Sequence, residues 1–257
     1  MNKTKIEWCD STWNPVTGCY HDCPYCYARR MVARFGRKYG KSADVKAHDV
    51  LELSNPIKGE NGKYLPYPTG FVPTLHRYRL HEYRRKTGRT IFVCSMADLF
   101  GDWVPDEWIE DVFAACKAAP QHRYLFLTKN PQRLCDLANQ KILPYEENFW
   151  YGCTLDNKSA RRYPRRIRDN TFLSIEPLTE YMNAGLGSFG GAKWIIIGAE
   201  TGNRKEKVVP QKEWIDNICE AANLTQAAVF MKDSLIPVMG EENMRREFPW
   251  ANEGNKK

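Results

Sequence analysis

Short, almost unbroken apolar runs recur along the chain at residues 91–94, 124–127, 149–153, 172–175, 194–197 and 228–231. Runs of this length without polar alternation are the pattern of strands covered on both faces, and hence of a parallel sheet. Between several of them the apolar positions fall at helical spacing. Pro105 opens a stretch in which Trp108, Ile109, Val112, Phe113 and Cys116 share one face, and Pro210 precedes another with Trp214, Ile215, Ile218, Cys219 and Ala222. These stripes predict core, so Cys116, Cys219 and with them Cys135 read as small buried hydrophobes. A first strand is expected at 13–18. Strand and helix alternating on this scale predict an α/β fold, a βα barrel that is complete or partial. Residues 42–89 break the rhythm: Gly59, Gly62, Gly70, Pro56, Pro66, Pro68 and Pro73 predict a loop-rich insertion over the barrel mouth. The whole of 1–257 then reads as a single domain.

Composition adds an ordinary enzyme's scale and a basic surface. The chain has 257 residues, 42% of them hydrophobic, enough for a substantial core. No apolar run approaches the length of a membrane-spanning helix, which predicts no membrane partner. The net charge of +7 is concentrated in three clusters: Arg29, Arg30, Arg34, Arg37, Lys38 and Lys41; Arg77, Arg79, Arg84, Arg85, Lys86 and Arg89; and Lys158, Arg161, Arg162, Arg165, Arg166 and Arg168. Each holds an aromatic residue among the charges. Cations neutralise phosphates and aromatic faces stack on bases, so Arg84, Arg85, Arg161, Arg162, Arg165 and Arg166 are candidate nucleic-acid contacts. A solvated helix face is the alternative reading of each cluster.

Nine cysteines, an odd number, and a polar opening without a signal-peptide core predict a reducing, cytoplasmic location rather than a disulfide framework. Three of them stand at Cys19, Cys23 and Cys26 in the run Gly-Cys-Tyr-His-Asp-Cys-Pro-Tyr-Cys-Tyr. Sulfurs spaced C-x3-C-x2-C on one loop can hold three corners of a 4Fe-4S cluster, leaving the fourth iron without a protein ligand. Such an open iron suits a cluster that binds and reduces a small molecule. The alternative is zinc, which needs four ligands; Cys9 or His21 would have to supply the fourth.

The spacing resembles the radical SAM signature, in which an aromatic residue precedes the third cysteine, here Tyr25. The resemblance implies that S-adenosyl-L-methionine chelates the open iron, that Tyr25 lies beside its adenine, and that a one-electron reductant such as flavodoxin feeds the cluster. It also implies a partial (β/α)6-type barrel with chemistry where the strands end. The strand ends are polar: Ser95 and Asp98 stand where many radical SAM enzymes carry a glycine-rich motif for the SAM amine. That motif is absent, but a hydroxyl and a carboxylate can serve the same ammonium. Lys129 offers a cation for a carboxylate or phosphate, Glu176 a carboxylate for ribose hydroxyls, Thr154 a further cofactor contact and Glu200 a catalytic group. Asp156 and Asn157 read equally as helix caps, and Cys153 as a buried structural thiol before a hydrogen-atom donor.

The segments at 6–19, 93–100, 127–129, 173–178 and 197–202, above all the Trp-Asn-Pro-x-Thr-Gly-Cys opening, together resemble the phage-associated three-cysteine-motif family, a radical SAM-like group. That likeness implies nucleobase chemistry in a host cytoplasm, on DNA or a modified nucleotide. The most specific expectation is isomerisation of a glycyl-thymidine adduct in phage DNA hypermodification. A spore-photoproduct-lyase-like repair reaction and a zinc-stapled nucleic-acid-binding module are the competing expectations.

Overall fold

A computed structural model describes residues 4–35, 49–155, 170–185 and 187–251. The chain divides into two compact units, Met1–Arg133 and Leu134–Lys257. In the first, the elements are β1 (Ser11–Trp13), β2 (Val16–Thr17), α1 (Tyr27–Phe35), β3 (Leu51–Leu53), β4 (Thr74–His76), β5 (Thr90–Val93), α2 (Asp106–Lys117) and β6 (Arg123–Thr128), and α3 (Pro131–Asn139) begins at its end.

β5 is the centre of the first unit, with β1 and β6 beside it. Ser11 pairs with Ile91 and Trp13 with Val93 on one side, Thr90 with Arg123 and Val93 with Phe126 on the other, all parallel. All four β5 residues are buried, as an apolar run flanked on both edges requires. α2 starts after Pro105, whose φ of −60° and ψ of 145° keep it outside the helix. Asp106 and Glu107 at its start and Lys117 at its end complement the helix dipole. Its buried stripe is the expected one, with Phe113 packed edge-on against Phe126 at 5.3 Å.

Two expectations change here. The strand expected at 13–18 is broken by Asn14 and Pro15: β1 stays in the parallel sheet, and β2 enters a small second sheet in the order β2-β4-β3. The insertion is more than loop chemistry, because residues 49–89 supply β3, β4 and a 3-10 turn at Arg77–Arg79. Strands of three residues are too short to show periodicity. Glu52 of β3 fastens this sheet, accepting from Arg77 Nε at 2.7 Å and Trp108 Nε1 at 2.6 Å.

The second unit contains β7 (Phe149–Thr154), β8 (Thr171–Ile175), β9 (Trp194–Ile197), α4 (Lys212–Leu224), β10 (Ala228–Met231) and a short α5 (Ile236–Met239). Its four strands are parallel, in the order β7-β8-β9-β10. They coincide with the apolar runs in the sequence, and α4 buries Ile215, Ile218 and Ala222 of the predicted face, with Ala221 beside them, while Trp214 is only half-buried. Cys116 is buried as expected, whereas Cys135 and Cys219 are only half-buried. No helix among the described residues is long and apolar enough to cross a membrane.

Gly152 interrupts the apolar run of β7 because the Phe172 ring of β8 lies across it. A Cβ there would come within 2.4–2.6 Å of three ring carbons. Gly152→Ala is therefore expected to destabilise the chain by roughly 1–3 kcal/mol, the usual cost of overpacking a core. In urea the transition midpoint should fall with little change in slope. An unchanged midpoint would show that the ring can move aside at no cost.

Candidate metal centre

The Trp-Asn-Pro-x-Thr-Gly-Cys segment leads from the core sheet into the cysteine loop, and each of its residues has a place. Trp13 is buried and donates from Nε1 to the Arg79 carbonyl at 2.9 Å. The Asn14 side-chain oxygen accepts from the Ser95 hydroxyl at 3.1 Å and from the Met96 amide at 2.9 Å. Pro15 leaves its carbonyl to the His76 amide at 2.7 Å. Thr17 shares a 2.8 Å hydrogen bond with His76 Nε2. Gly18 has φ +89°, and a Cβ there would meet the Val72 carbonyl oxygen at 2.3 Å. Only glycine fits both the backbone and the space.

Beyond Gly18 the loop is fastened to the polar turns after β5 and β6. The Gly18 amide donates to the Met96 carbonyl at 2.9 Å. His21 Nε2 meets Asp98 Oδ2 at 2.7 Å. Lys129 Nζ donates to the Tyr25 hydroxyl at 3.2 Å and lies 5.3 Å from the centre of its ring. Tyr27, the first residue of α1, donates to the Ser95 carbonyl. α1 itself went unforeseen, its arginines reading as a charge cluster; it buries Ala28 and Val32 against Met96, with Tyr67 and Phe71 alongside.

All nine cysteines are reduced thiols, and Cys19, Cys23 and Cys26 are half-buried. Backbone amides already address two of the sulfurs: the His21 amide lies 3.5 Å from Cys19 Sγ and the Arg29 amide 3.4 Å from Cys26 Sγ. Burial is the main reason the Cys19 thiol is pushed up to about 12, with Asp98 and the other two thiols adding to it. Thiolates there need a cation or a metal, and a positive group is at hand. Arg29 donates to the Cys19 carbonyl at 3.2 Å and lies 4.8 Å over the Phe71 ring, while its Nε is buried without an acceptor among the described residues. Trp103 Nε1 is likewise buried without one, its ring set edge-on to His21 at 4.9 Å and to Tyr20 at 5.4 Å.

Amides on two of the three sulfurs, with the buried Arg29 Nε and Trp103 Nε1 lacking acceptors among the described residues, suit a loop that holds an anionic group able to accept hydrogen bonds. Among the described residues no three His, Cys, Asp or Glu side chains converge on a single metal ion. Of the two candidate fourth zinc ligands, His21 has Nε2 on Asp98 and Cys9 directs Sγ toward the Ile6 carbonyl at 3.9 Å.

Asp98 departs from its expected role. Its carboxylate is buried and turned inward: Oδ1 accepts from the Phe100 amide at 3.0 Å and the Thr128 hydroxyl at 2.7 Å, and Oδ2 from His21 and from the Lys129 amide at 2.8 Å. Burial alone would raise its pKa, but the hydrogen bonds, that of His21 foremost, hold it below the usual carboxylate range. Such a carboxylate fastens the loop rather than receiving an ammonium. Ser95 has its hydroxyl on Asn14. Lys129 has no carboxylate partner among the described residues, which leaves its charge available.

In the second unit the expected residues occupy strand ends. Thr154 closes β7 and is buried, as is Cys153. Glu176, after β8, is ion-paired with Lys232, after β10, and the pair crosses Gly198, where a Cβ would lie 3.0 Å from the lysine chain. Glu200, after β9, is held by Arg204 through two bonds of 2.7 Å. Lys232 and Arg204 went unpredicted, yet each had a signal: Lys232 ends the last apolar run, and Arg204 stands four residues after Glu200.

The basic clusters separate into fasteners and open charges. Arg77 binds Glu52 and Asp111, Arg79 the carbonyls of Asn14 and Pro66, and Arg89 the Ser11 hydroxyl. Arg84 and Arg85 are exposed, without an ion pair among the described residues. Arg161, Arg162, Arg165 and Arg166, with Asp156 and Asn157, lie outside the described residues.

His76, fully buried between Thr17 and the Tyr78 hydroxyl, carries a pH dependence. Burial, and then the charge of Arg79, lowers it from 6.5 to about 3. The unfolded chain therefore takes up a proton that the folded chain refuses, and stability is lost as pH falls from about 6.5 toward 3, by at most about 1.4 kcal/mol per unit. His76→Gln should flatten that slope, read from urea unfolding at pH 7 and pH 5. Equal slopes in both chains would mean that folded His76 protonates freely.

Searches of curated proteins and of solved structures return no match. One family model does match, over residues 3–235, which takes in the cysteine loop and the strand ends of both units. The chain thus belongs to the family described as "Protein of unknown function (DUF5131)".

Proposed function

We propose that the chain is a radical SAM enzyme in which Cys19, Cys23 and Cys26 hold a 4Fe-4S cluster and leave one iron for S-adenosyl-L-methionine. The observation that carries this reading is the cysteine loop itself: three thiols between fixed anchors, amides on two sulfurs, and a buried Arg29 Nε and Trp103 Nε1 that lack acceptors among the described residues. When bound, the cluster supplies the electron that cleaves SAM to a 5'-deoxyadenosyl radical able to take a hydrogen from substrate. The parallel strands and βα connections of both units support the partial (β/α)6-type barrel expected of such an enzyme.

The chain's own residues set what the radical meets. Tyr25 is held by Lys129 beside the third cysteine, a place suited to an adenine-facing ring. The Lys129 ammonium, with only the Tyr25 hydroxyl as acceptor among the described residues, can orient a carboxylate or phosphate of the substrate. Exposed Arg84 and Arg85 suit a phosphate backbone. A nucleobase substrate fits this set. Its most specific form is a glycyl-thymidine adduct, its carboxylate on Lys129 and its α-hydrogen the one removed, with a flavodoxin-type protein as electron donor.

Purified anaerobically, the protein should be brown. Cys19→Ala, Cys23→Ala and Cys26→Ala should lose iron, while Cys116→Ala and Cys219→Ala keep it. Equal iron loss in all five, or a colourless protein retaining one zinc, would overturn the cluster. With dithionite and SAM, substrate deuterated at the glycyl α-carbon should pass its label into 5'-deoxyadenosine. Lys129→Ala should lose that turnover and keep both iron and SAM cleavage. Unlabelled 5'-deoxyadenosine with full turnover would exclude α-hydrogen abstraction and favour a repair-type reaction.

A further inference from the structure

We infer that Asp98 is a positioning residue, holding the cysteine loop in its ligating shape before metal arrives and joining that loop to the segment that carries Lys129. The inference rests on reading the loop as a metal site, and extends it from the cysteines to what shapes them. Four donors reach the one carboxylate, from three separate regions of the chain: His21 in the loop, the Phe100 amide after β5, and the Thr128 hydroxyl and Lys129 amide at the end of β6.

The positions of the anchors point to the same role. Gly18 on Met96 stands before Cys19, His21 on Asp98 between Cys19 and Cys23, Tyr25 on Lys129 before Cys26, and Tyr27 on Ser95 after it. Anchors and cysteines alternate along the loop. The Asp98 contact joins two side chains that are each tied further: the carboxylate to both strand ends, and the His21 ring to the edge of Trp103. Packing alone does not call for a carboxylate there, since an apolar residue of similar volume fills buried space at lower cost. A carboxylate is suited to fixing several donors in direction.

Hydrogen exchange on the metal-free chain tests this without any cluster. In Asp98→Asn, which keeps the volume but offers one of its two positions as a donor, the amides of 19–27 should exchange at least about tenfold faster, as loss of a hydrogen bond to a charged group implies. His21→Ala should do the same. His21→Gln, whose amide N–H can replace Nε2, should restore slow exchange, and Glu52→Gln, which weakens a fastener elsewhere in the unit, should leave 19–27 unchanged. In iron-loaded protein the same Asp98→Asn and His21→Ala variants should surrender iron to a chelator faster and shift the reduced cluster's electron paramagnetic resonance signal. Unaltered exchange at 19–27 in both variants would overturn the proposal even if their melting temperatures fell. A wild-type chain that took up no iron would defeat the cluster assignment, while the exchange result would still decide whether Asp98 shapes the loop.

Discussion

A buried carboxylate hydrogen-bonded by four donors is the constraint on which the rest of the first unit depends. Left without partners, the charge of Asp98 would cost several kcal/mol in so dry a place, and the group would take up a proton instead. Its pKa stays low because two strand ends and the cysteine loop each bring it a hydrogen bond. The dependence is mutual. The β5 and β6 turns need the carboxylate to satisfy the Phe100 and Lys129 amides, and His21 needs it to hold the ring against Trp103. The loop has a few contacts of its own, the Cys26 amide on the Cys23 carbonyl at 3.1 Å among them, and these outside contacts tie it to the strand ends.

Asn14 does for the turn after β5 what Asp98 does for the cysteine loop. Pro15 has no N–H to give the ladder, so β1 ends at Trp13 and the Asn14 side chain turns toward 95–96. Two bonds to its single oxygen then set the backbone that Gly18 and Tyr27 lean on. The sequence motif is therefore a chain of consequences: Trp13 ends a core strand, Asn14 shapes the turn after β5, Thr17 and His76 close the small sheet, and Gly18 passes where any Cβ would collide.

The parallel strands and the two long helices were legible because burial on both faces, and helical spacing over three turns, leave strong periodic traces. The small sheet was not, since two- and three-residue strands fall below any period. α1 was hidden by its composition: only Ala28 and Val32 are buried, and its arginines read as a charge cluster. At the proposed site, spacing alone marks the three cysteines as candidates. What spacing does not reveal is which way a polar residue after a strand faces. Asp98 and Glu200 stand in equivalent sequence contexts and both are engaged by the chain itself, one by His21 and backbone amides, the other by Arg204. Lys129 differs because the carboxylate nearest to it in sequence logic, Asp98, takes its amide and not its ammonium.

The distribution of positive charge follows the same rule of prior engagement. Arg77, Arg79 and Arg89 came from one basic cluster with Arg84 and Arg85, yet they are fasteners, bound to Glu52, Asp111, two carbonyls and a hydroxyl. Replacing them would disturb these internal contacts before it disturbed any ligand. Arg84 and Arg85 sit beyond the 3-10 turn, where the chain has no acid to offer them among the described residues. Cations of this second kind are the ones placed to displace counterions from a phosphate backbone. Direct phosphate contacts, as distinct from the long-range pull of the net +7, would fall among the described residues to arginines such as Arg84 and Arg85 that the fold leaves exposed.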